Sequence, residues 1–170
     1  MSFSIISAHD KNLGIGYKNT IPWYLSGDFK WFKLHTTGKI VIMGMNTYYS
    51  LPKKFRPLPN RTNIVLCDDK EKSKSLEKDG VFAYSSIEKV IMDFQNADCF
   101  VIGGASVYKQ FINKAYKLYI TEIDKEFECD TFFPKYDKKD WNVLYNSDTM
   151  TDKKSNINYN FNVYTKKLIE

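Results

Sequence analysis

Residues 99–115, CFVIGGASVYKQFINKA, join an apolar run to an amphipathic segment through two glycines. The apolar run Cys99–Gly103 has the length and the Val, Ile and Phe content of a buried β-strand. The residues that follow predict a helix over Ser106–Ala115, because apolar side chains recur there at helical spacing. Those side chains are Val107, Tyr108, Phe111 and Ile112. A strand that passes directly into a helix is the building unit of an α/β fold.

The same alternation extends along the chain in both directions. Further runs of strand length and composition are Phe3–Ala8, Ile40–Met45, Asn63–Cys67, Val81–Tyr84 and Lys117–Ile123. Helical patterns lie between them at Ser26–Thr36, which opens on a serine of the capping type, and at Ser86–Phe94. Runs such as Ile40–Met45 are apolar on both sides, as strands covered on both faces require. A mostly parallel sheet is therefore expected.

The pattern changes near the C-terminus. Trp141–Asn146 and Asn158–Lys167 have the pattern of strands separated by a polar stretch, which predicts an antiparallel hairpin at one edge of the sheet. The 170 residues, 43% of them hydrophobic, are enough for one domain and few for two. We expect an α/β fold in a single domain over residues 1–170, with a mostly parallel twisted sheet of about eight strands and about four flanking helices.

Composition and charge exclude several classes of function. The net charge of +5 comes from scattered basic residues, the largest groups being pairs such as Lys53-Lys54, whereas a nucleic-acid reader usually carries a basic stripe. Cys67, Cys99 and Cys129 form no CxxC pair, and the N-terminus lacks a signal-peptide pattern. No apolar run approaches the ~20 residues that span a bilayer. We expect a cytoplasmic protein that binds neither nucleic acid nor membrane.

Two glycine-containing turns follow predicted strands, where α/β proteins bind their ligands. Gly103-Gly104 would let a diphosphate approach the backbone at the start of the next helix, and a tight strand-to-helix turn explains the same residues equally well. Residues 14–23, GIGYKNTIPW, have the glycines and aromatic side chains of a loop that closes over a flat ligand. Composition alone favours an ordinary surface loop whose Trp23 packs on the core.

Asp28 stands in the first turn of a predicted helix, among apolar side chains that include Trp23, Trp31 and Phe32. A carboxylate there commonly complements the helix dipole, and that is the simpler interpretation. The aromatic surroundings favour a second one. A carboxyl group that faces an apolar cleft has a raised pKa, and it is a two-point acceptor for an amidine-like group such as the edge of a pterin.

Other polar side chains are open to two interpretations. Thr121 and Asp130 either support a site or are structural, and Arg61 offers a bidentate fork to a carboxylate unless it is a surface charge. His9 and His35 have no metal-ligand spacing, so no metal is expected. The chain also lacks the common nucleophile and phosphate-loop motifs.

The order of these features resembles dihydrofolate reductase of the bacterial type along nearly the whole chain. The shared motifs are Ile15-Gly16, Asn19, Ile21-Pro22-Trp23, Asp28, Trp31-Phe32, Val41-Ile42-Met43-Gly44, Thr47, Arg56-Pro57-Leu58-Pro59-Asn60-Arg61, Asn63-Ile64-Val65-Leu66, Val101-Ile102-Gly103-Gly104, Val107-Tyr108, Leu118-Tyr119-Ile120-Thr121, Asp124 and Asp130-Thr131-Phe132-Phe133-Pro134. So many matches in one order favour the functional interpretation of Asp28, Arg61 and both glycine turns.

The resemblance implies reduction of dihydrofolate to tetrahydrofolate, by hydride transfer from NADPH to C6 of the pterin with protonation at N5. It implies that Asp28 holds the pterin, that Thr121 braces Asp28, and that water near Trp23 and Ile21 delivers the proton. Antifolate inhibitors are expected ligands, and a monomer is the expected assembly. The implied substrate-binding residues are Ile6, Ala8, Asp28, Phe32, Leu51, Leu58, Arg61, Ile102 and Thr121, with Arg61 on the glutamate carboxylate.

The resemblance also implies a cofactor site. A mobile loop over the nicotinamide would contribute Ile15, Gly16, Asn19 and Ile21, next to Ala8. The family's Gly-Gly peptide is cis, so Gly103-Gly104 is expected to be cis. The remaining implied contacts are Gly44, Met45, Asn46, Thr47, Leu66, Cys67, Asp68, Ile102, Gly103, Gly104, Ala105, Ser106, Val107 and Tyr108.

Two positions depart from the family at the cofactor's 2′-phosphate. The family commonly has a cation where this chain has Met45, and Ser or Arg where it has Asp68. An acid at such a place suits a free ribose 2′-hydroxyl, so we expect a weakened preference for NADPH over NADH. Compensating charge could come from Lys53, Lys54 or Lys70.

Two further departures lie near the substrate and the lid. Pro52–Phe55 is a short insertion beside the benzoyl-glutamate end of the substrate. Cys129 replaces a glycine in the loop that contacts the lid, and it would be strained if that position needs a positive φ.

Two rival functions are open. A pyrimidine reductase of riboflavin synthesis shares the general fold and nicotinamide chemistry, but Asp28 behind Pro22-Trp23 and the contact expected of Arg61 argue against it. A non-catalytic nucleotide- or RNA-binding module would use the positive surface instead.

Overall fold

The computed structural model describes residues 3–168. Five α-helices lie in this range: α1 Ser26–Thr36, α2 Met45–Ser50, α3 Lys70–Lys78, α4 Ile87–Phe94 and α5 Ala105–Phe111, with 3₁₀ turns at Lys53–Phe55 and Lys138–Asp140. The strands are β1 Phe3–His9, β2 Gly14–Gly16, β3 Ile40–Gly44, β4 Thr62–Leu66, β5 Phe82–Tyr84, β6 Cys99–Gly103, β7 Lys117–Ile123, β8 Thr131–Phe132, β9 Trp141–Asn146, β10 Met150–Thr151 and β11 Asn158–Lys166.

The main sheet has the order β10-β11-β7-β1-β6-β3-β4-β5. From β7 to β5 every neighbouring pair is parallel, which confirms the predicted α/β class and mostly parallel sheet. At the other edge β11 runs antiparallel to β7, and β9 and β10 both pair antiparallel with β11. The predicted C-terminal hairpin is therefore present. A separate two-stranded ladder joins β2 to β8.

The helices depart from the prediction in two missed segments and in one cap. Five helices agree with the approximate number that we expected, but α2 and α3 were not among the predicted segments. The first residue of α2, Met45, was predicted to end a strand, and α3 was missed because only Leu76 of its nine residues is buried. Asp69 caps α3 instead, accepting hydrogen bonds from the N–H groups of Glu71 and Lys72. Ser26 is not the cap of α1, since Leu25 occupies that position and makes no side-chain capping bond. The Asp28 carboxylate, in the first turn of α1, accepts a hydrogen bond from Thr121 in β7.

The central strands bury both of their faces. In β3 the side chains of Val41 and Met43 pack on one side of the sheet and Ile42 on the other, and all three are fully buried. A third apolar cluster joins Trp23 and Leu25 to the start of β11. Because each layer is closed by helices or by the C-terminal strands, ligand access is left at the ends of the strands. No helix within residues 3–168 is long and apolar enough to cross a membrane.

Candidate active site

A cavity of about 1200 Å³ runs along the carboxyl ends of β1, β3, β4 and β6. A cleft for one drug-sized ligand is typically about 300–1000 Å³, so this cavity has room for two molecules side by side. Apart from Thr121, every residue of the predicted site lines it. These residues are Ile6, Ala8, Ile15, Gly16, Asn19, Ile21, Trp23, Asp28, Phe32, Gly44, Met45, Asn46, Thr47, Leu51, Leu58, Arg61, Leu66, Cys67, Asp68, Ile102, Gly103, Gly104, Ala105, Ser106, Val107 and Tyr108.

Asp28 lies on the wall of the cavity, and Thr121 lies behind it. The Thr121 hydroxyl, buried in β7, donates a 2.6 Å hydrogen bond to Oδ1 of Asp28. Burial raises the pKa of Asp28 to about 6, against the opposing effect of the bond from Thr121. The other carboxylate on this cavity, among the lining residues, is the exposed Asp68. Asp28 is thus a partly buried acid that can change its protonation near neutral pH.

Aromatic rings enclose the region around Asp28. Trp23 is buried and packs against Phe127 with 5.2 Å between ring centroids. Trp31 stacks on Phe161, with centroids 4.2 Å apart and an interplanar angle of 6°. Such walls exclude water and present flat surfaces, which suits an aromatic ligand more than a flexible one.

The turn after β6 brings bare backbone to the cavity. The Gly103-Gly104 peptide is cis, as expected, and Gly103 has φ of +129°. A Cβ at Gly103 would lie 3.4 Å from both the Thr47 and the Tyr108 hydroxyl oxygens. The Tyr108 hydroxyl is held in place by donating a 2.8 Å hydrogen bond to the carbonyl of Ile6. A ligand can therefore approach the backbone closely here.

The segment 14–23 covers the cavity beside Ala8. Its backbone turns tightly at Lys18 and Asn19, which have positive φ, and a hydrogen-bonded bridge joins Tyr17 to Thr20. Asp130 fixes this turn from outside by accepting a 3.0 Å hydrogen bond from the N–H of Lys18. That bond is the largest cause of the lowered pKa of Asp130. We call residues 14–23 the lid.

Arg61 lies at the opposite end of the cavity. Its Nε donates to the carbonyl of Pro59 at 2.9 Å, and Nη1 donates to the Thr36 hydroxyl at 3.3 Å. The guanidinium carbon lies 6.0 Å from the centroid of the Phe32 ring. These contacts aim a cation at the mouth of the cavity, where Lys33 supplies a second one.

Comparison with known proteins gives the family. The family profile described as dihydrofolate reductase matches residues 2–166. The chain belongs to the dihydrofolate reductase family. It is 40% identical to the dihydrofolate reductase of Buchnera aphidicola subsp. Acyrthosiphon pisum over 168 residues, covering 98% of this chain and 100% of the relative. It is 39% identical to that of Haemophilus influenzae over 169 residues, 98% and 100% of the two chains, and 37% identical to that of Staphylococcus aureus over 161 residues, 95% and 96%.

Three of the positions that the sequence predicts to depart from the family pattern fall on the cavity. Met45 and Asp68 both line it, Asp68 with its side chain exposed just beyond β4. In the predicted insertion, Lys53–Phe55 forms a 3₁₀ turn, and Pro52 and Phe55 line the cavity next to Leu51. Leu51 therefore lies on the cavity wall beside this turn.

The condition for strain at Cys129, a positive φ, is not met. Among the described residues, the non-glycine positions with positive φ are Leu13, Lys18, Asn19, Asn60 and Asn156, so Cys129 is not in the left-handed region. The thiol instead packs directly over Gly14, where a Cβ would collide with its Sγ. Cys129 is thus a packing residue beneath the start of the lid.

Several residues that line the cavity were not among the predicted site residues. Tyr24 and Phe29 flank Asp28 in the chain, and their rings lie 5.1 Å apart and largely exposed. Two large exposed aromatic side chains beside a candidate acid were the signal that could have found them. The remaining lining residues carry no such signal. They are Ser7, Thr20, Trp31, Lys33, Ser50, Pro52, Phe55, Pro59, Ser85, Ser86, Ile87, Gln110 and Thr131.

Proposed function

We propose that this protein reduces 7,8-dihydrofolate to 5,6,7,8-tetrahydrofolate with NADPH, and so supplies one-carbon metabolism for thymidylate, purine and glycine synthesis. The family membership supports the substrate. The observation that carries the chemistry is the partly buried Asp28, whose pKa of about 6 and bond from Thr121 suit an acid that binds and polarises a pterin. Catalysis by such a group rests on protonation and position together.

The cofactor end of the cavity fits a dinucleotide. Gly103 and Gly104 present backbone without a Cβ, and Thr47 lies 3.4 Å from where either Cβ would stand. A Cβ on Gly44 would likewise lie 3.2 Å from Cγ2 of Val107, so a thin diphosphate fits where a side chain does not. When bound, NADPH supplies the hydride that reduces C6 of the pterin. The residues that would hold it are Ala8, Ile15, Gly16, Asn19, Ile21, Gly44, Met45, Asn46, Thr47, Leu66, Cys67, Asp68, Ile102, Gly103, Gly104, Ala105, Ser106, Val107 and Tyr108.

The substrate end of the cavity orients the pterin. Asp28 accepts hydrogen bonds from N3–H and the 2-amino group, a two-point contact that fixes the ring's rotation. Thr121 holds one carboxylate oxygen, which leaves the other free to follow the ligand. Arg61 binds the glutamate carboxylate at the mouth. The apolar wall between them is formed by Ile6, Ala8, Phe32, Leu51, Leu58 and Ile102.

The proton at N5 comes from water near Trp23 and Ile21. Ile21 is 59% exposed, whereas Trp23 is buried, so solvent reaches the lid at Ile21. Asp28 raises the proton affinity of the bound ring by placing a negative charge at its far edge. The reactive form of the complex is the proton-rich one, with Asp28 ionised and the proton on N5, and activity falls as rising pH removes that proton.

The nicotinamide specificity of this enzyme is relaxed. Met45 supplies no cation and Asp68 supplies an anion where a 2′-phosphate would lie. The binding free energy that the phosphate adds for NADPH over NADH is therefore reduced. Lys53, Lys54 and Lys70 are exposed in the nearby 3₁₀ turn and at the start of α3, and they offset the loss only through screened charge.

Titration with methotrexate discriminates this function from a pyrimidine reductase and from a non-catalytic binding module. Tight binding that is lost in Asp28→Asn is expected of the folate enzyme alone, because Asp28 provides the two-point contact to the diaminopteridine edge. Methotrexate affinity that is unchanged in Asp28→Asn, or no binding to the wild type, would contradict the proposal. The same sample on a sizing column with light scattering tests the expected monomeric state.

A further inference from the structure

Asp10 is a buried carboxylate outside the cavity. Its residue is 2% exposed, and it takes part in none of the ion pairs within residues 3–168. The neighbouring Lys11 is engaged with Asp124 at 3.0 Å. Burial lowers the pKa of His9, so that ring carries no balancing charge at neutral pH. A buried carboxylate without a cation is costly unless hydrogen bonds replace its water.

Backbone N–H groups from two loops replace that water. Oδ1 of Asp10 accepts from Asn12 at 2.8 Å and from Gly14 at 2.7 Å, both on the segment that leads into the lid. Oδ2 accepts from the N–H of Phe127 at 2.9 Å, on the segment between β7 and β8. One carboxylate therefore ties the base of the lid to the loop beside it.

That neighbouring loop fixes the lid at points further along. Asp130 donates its N–H to the carbonyl of Gly16 at 2.9 Å, and its carboxylate accepts from the N–H of Lys18. The Phe127 ring packs against Trp23 at the far end of the lid. A displacement of Phe127 would therefore disturb its contact with Trp23 and the bonds of the same loop to Gly16 and Lys18. Asp10 can thus affect the lid although it does not line the cavity.

We propose that Asp10 is a positioning residue that holds the lid over the nicotinamide through its bond to the Phe127 N–H. This inference rests on the proposed function. Cys129 makes the link rigid, since its Sγ lies 4.0 Å from Oδ2 of Asp10 and packs on Gly14. A change at Asp10 is therefore transmitted to the lid instead of being absorbed by a gap.

Asp10→Asn distinguishes the bonds of Oδ1 within the segment of Asp10 from the bond of Oδ2 to Phe127. The amide oxygen can still accept from Asn12 and Gly14, but the new NH₂ would face the N–H of Phe127, donor against donor. The turn that Asp10 forms within its own segment is kept, and the bond between loops is lost. Asp152→Asn is the matched control, because Asp152 is also a buried carboxylate that holds a turn, accepting from the N–H and hydroxyl of Ser155.

The test combines amide hydrogen exchange of the free protein with single-turnover hydride transfer from NADPH to dihydrofolate. In Asp10→Asn the N–H groups of Lys18 and Asp130, which do not touch Asp10, should exchange at least about tenfold faster, as the loss of one hydrogen bond predicts. Hydride transfer should slow by about tenfold or more with KM for dihydrofolate within about threefold. Asp152→Asn should change neither quantity.

Unchanged exchange at Lys18 and Asp130, or effects that Asp152→Asn reproduces, would overturn the role of Asp10. If Asp10→Asn does not fold, amide exchange of the wild-type protein still tests the role of Asp10. Its Phe127 amide should be protected to within about tenfold of Gly14, and exchange at the rate of an exposed amide would overturn the tie. Wild-type protein that does not reduce dihydrofolate would contradict the proposed function alone, because the exchange measurement needs no substrate.

Discussion

The hydroxyl of Thr121 lies 2.6 Å from Oδ1 of Asp28, joining the middle of β7 to the first turn of α1. Two opposing effects act on the carboxyl group. Burial raises its pKa, and the hydrogen bond stabilises the ionised form and lowers it, with a result of about 6. The acid is therefore poised between its protonation states where the enzyme works.

Thr121→Val should raise the pKa of Asp28 further. The substitution keeps the shape of the side chain and removes the donor that lowers the pKa. Because the proton-rich form is the reactive one, the fall of kcat/KM should begin at a higher pH than in the wild type. Thr121→Ser keeps the donor and should retain the wild-type profile. Superimposable profiles for Thr121→Val and wild type would show that this bond does not tune the acid.

Asp28→Asn should be more stable than wild type at pH 7. Folding raises the pKa of Asp28 from 3.8 to about 6, so ionisation is costlier in the folded than in the unfolded state. The penalty is absent below about pH 4, grows between about pH 4 and 6, and above that amounts to about 3 kcal/mol of unfolding free energy. Urea unfolding at pH 3.5 and pH 7 measures it. An equal effect of the substitution at both pH values would contradict the raised pKa.

The cofactor preference should respond to Met45 and Asp68. For the wild type we expect kcat/KM with NADPH to exceed that with NADH by less than about a hundredfold, or 2.7 kcal/mol. Met45→Arg and Asp68→Ser should each raise that ratio by about tenfold, because each improves the charge facing a 2′-phosphate. Asp69→Ser, one residue further on and outside the cavity, is the control and should leave the ratio unchanged. A wild-type ratio well above a hundredfold would refute the assignment.

Gly103→Ala should abolish cofactor binding. Its φ of +129° makes any side chain strained, and the new Cβ would press on Thr47 and Tyr108. Gly80→Ala is the matched control, since Gly80 has φ of +85° and no atom within 4 Å of the place where its Cβ would stand. Both variants should lose about 1–2 kcal/mol of stability from backbone strain, and only Gly103→Ala should lose NADPH binding by fluorescence titration. NADPH binding that is retained in Gly103→Ala would show that the Gly103-Gly104 turn is not part of the cofactor site.

The sheet was predictable because its strands are buried on both faces. In β3 the side chains of Val41, Ile42 and Met43 point alternately to the two faces of the sheet, and all three are buried. The sequence therefore shows a short unbroken apolar run, which is typical of a strand covered on both faces. α3 was not predictable on the same grounds, because Leu76 is its only buried residue and no stripe forms. Ser26 failed as a cap because the chain enters α1 from the buried Leu25, an entry set by tertiary packing.

The cavity residues followed from the order of motifs, whereas two features beneath the lid did not. Asp10 binds backbone N–H groups, and no pattern of side chains reveals such partners. Cys129 would be strained only with a positive φ, which it does not have, and its thiol instead leaves no room for a side chain at Gly14. Contacts between loops distant in sequence are set by the assembled fold, which one sequence does not expose.

The most direct test of the account is the rate of NADPH oxidation with dihydrofolate, compared between wild type and Asp28→Asn from pH 5 to 8. The wild type should be active, and its kcat/KM should fall as the pH rises above about 6. Asp28→Asn should be at least about a hundredfold slower at pH 7, a loss of 2.7 kcal/mol, and should recover toward low pH as solution supplies the proton. An Asp28→Asn enzyme that matches the wild type at pH 7 would contradict the central role of this carboxylate.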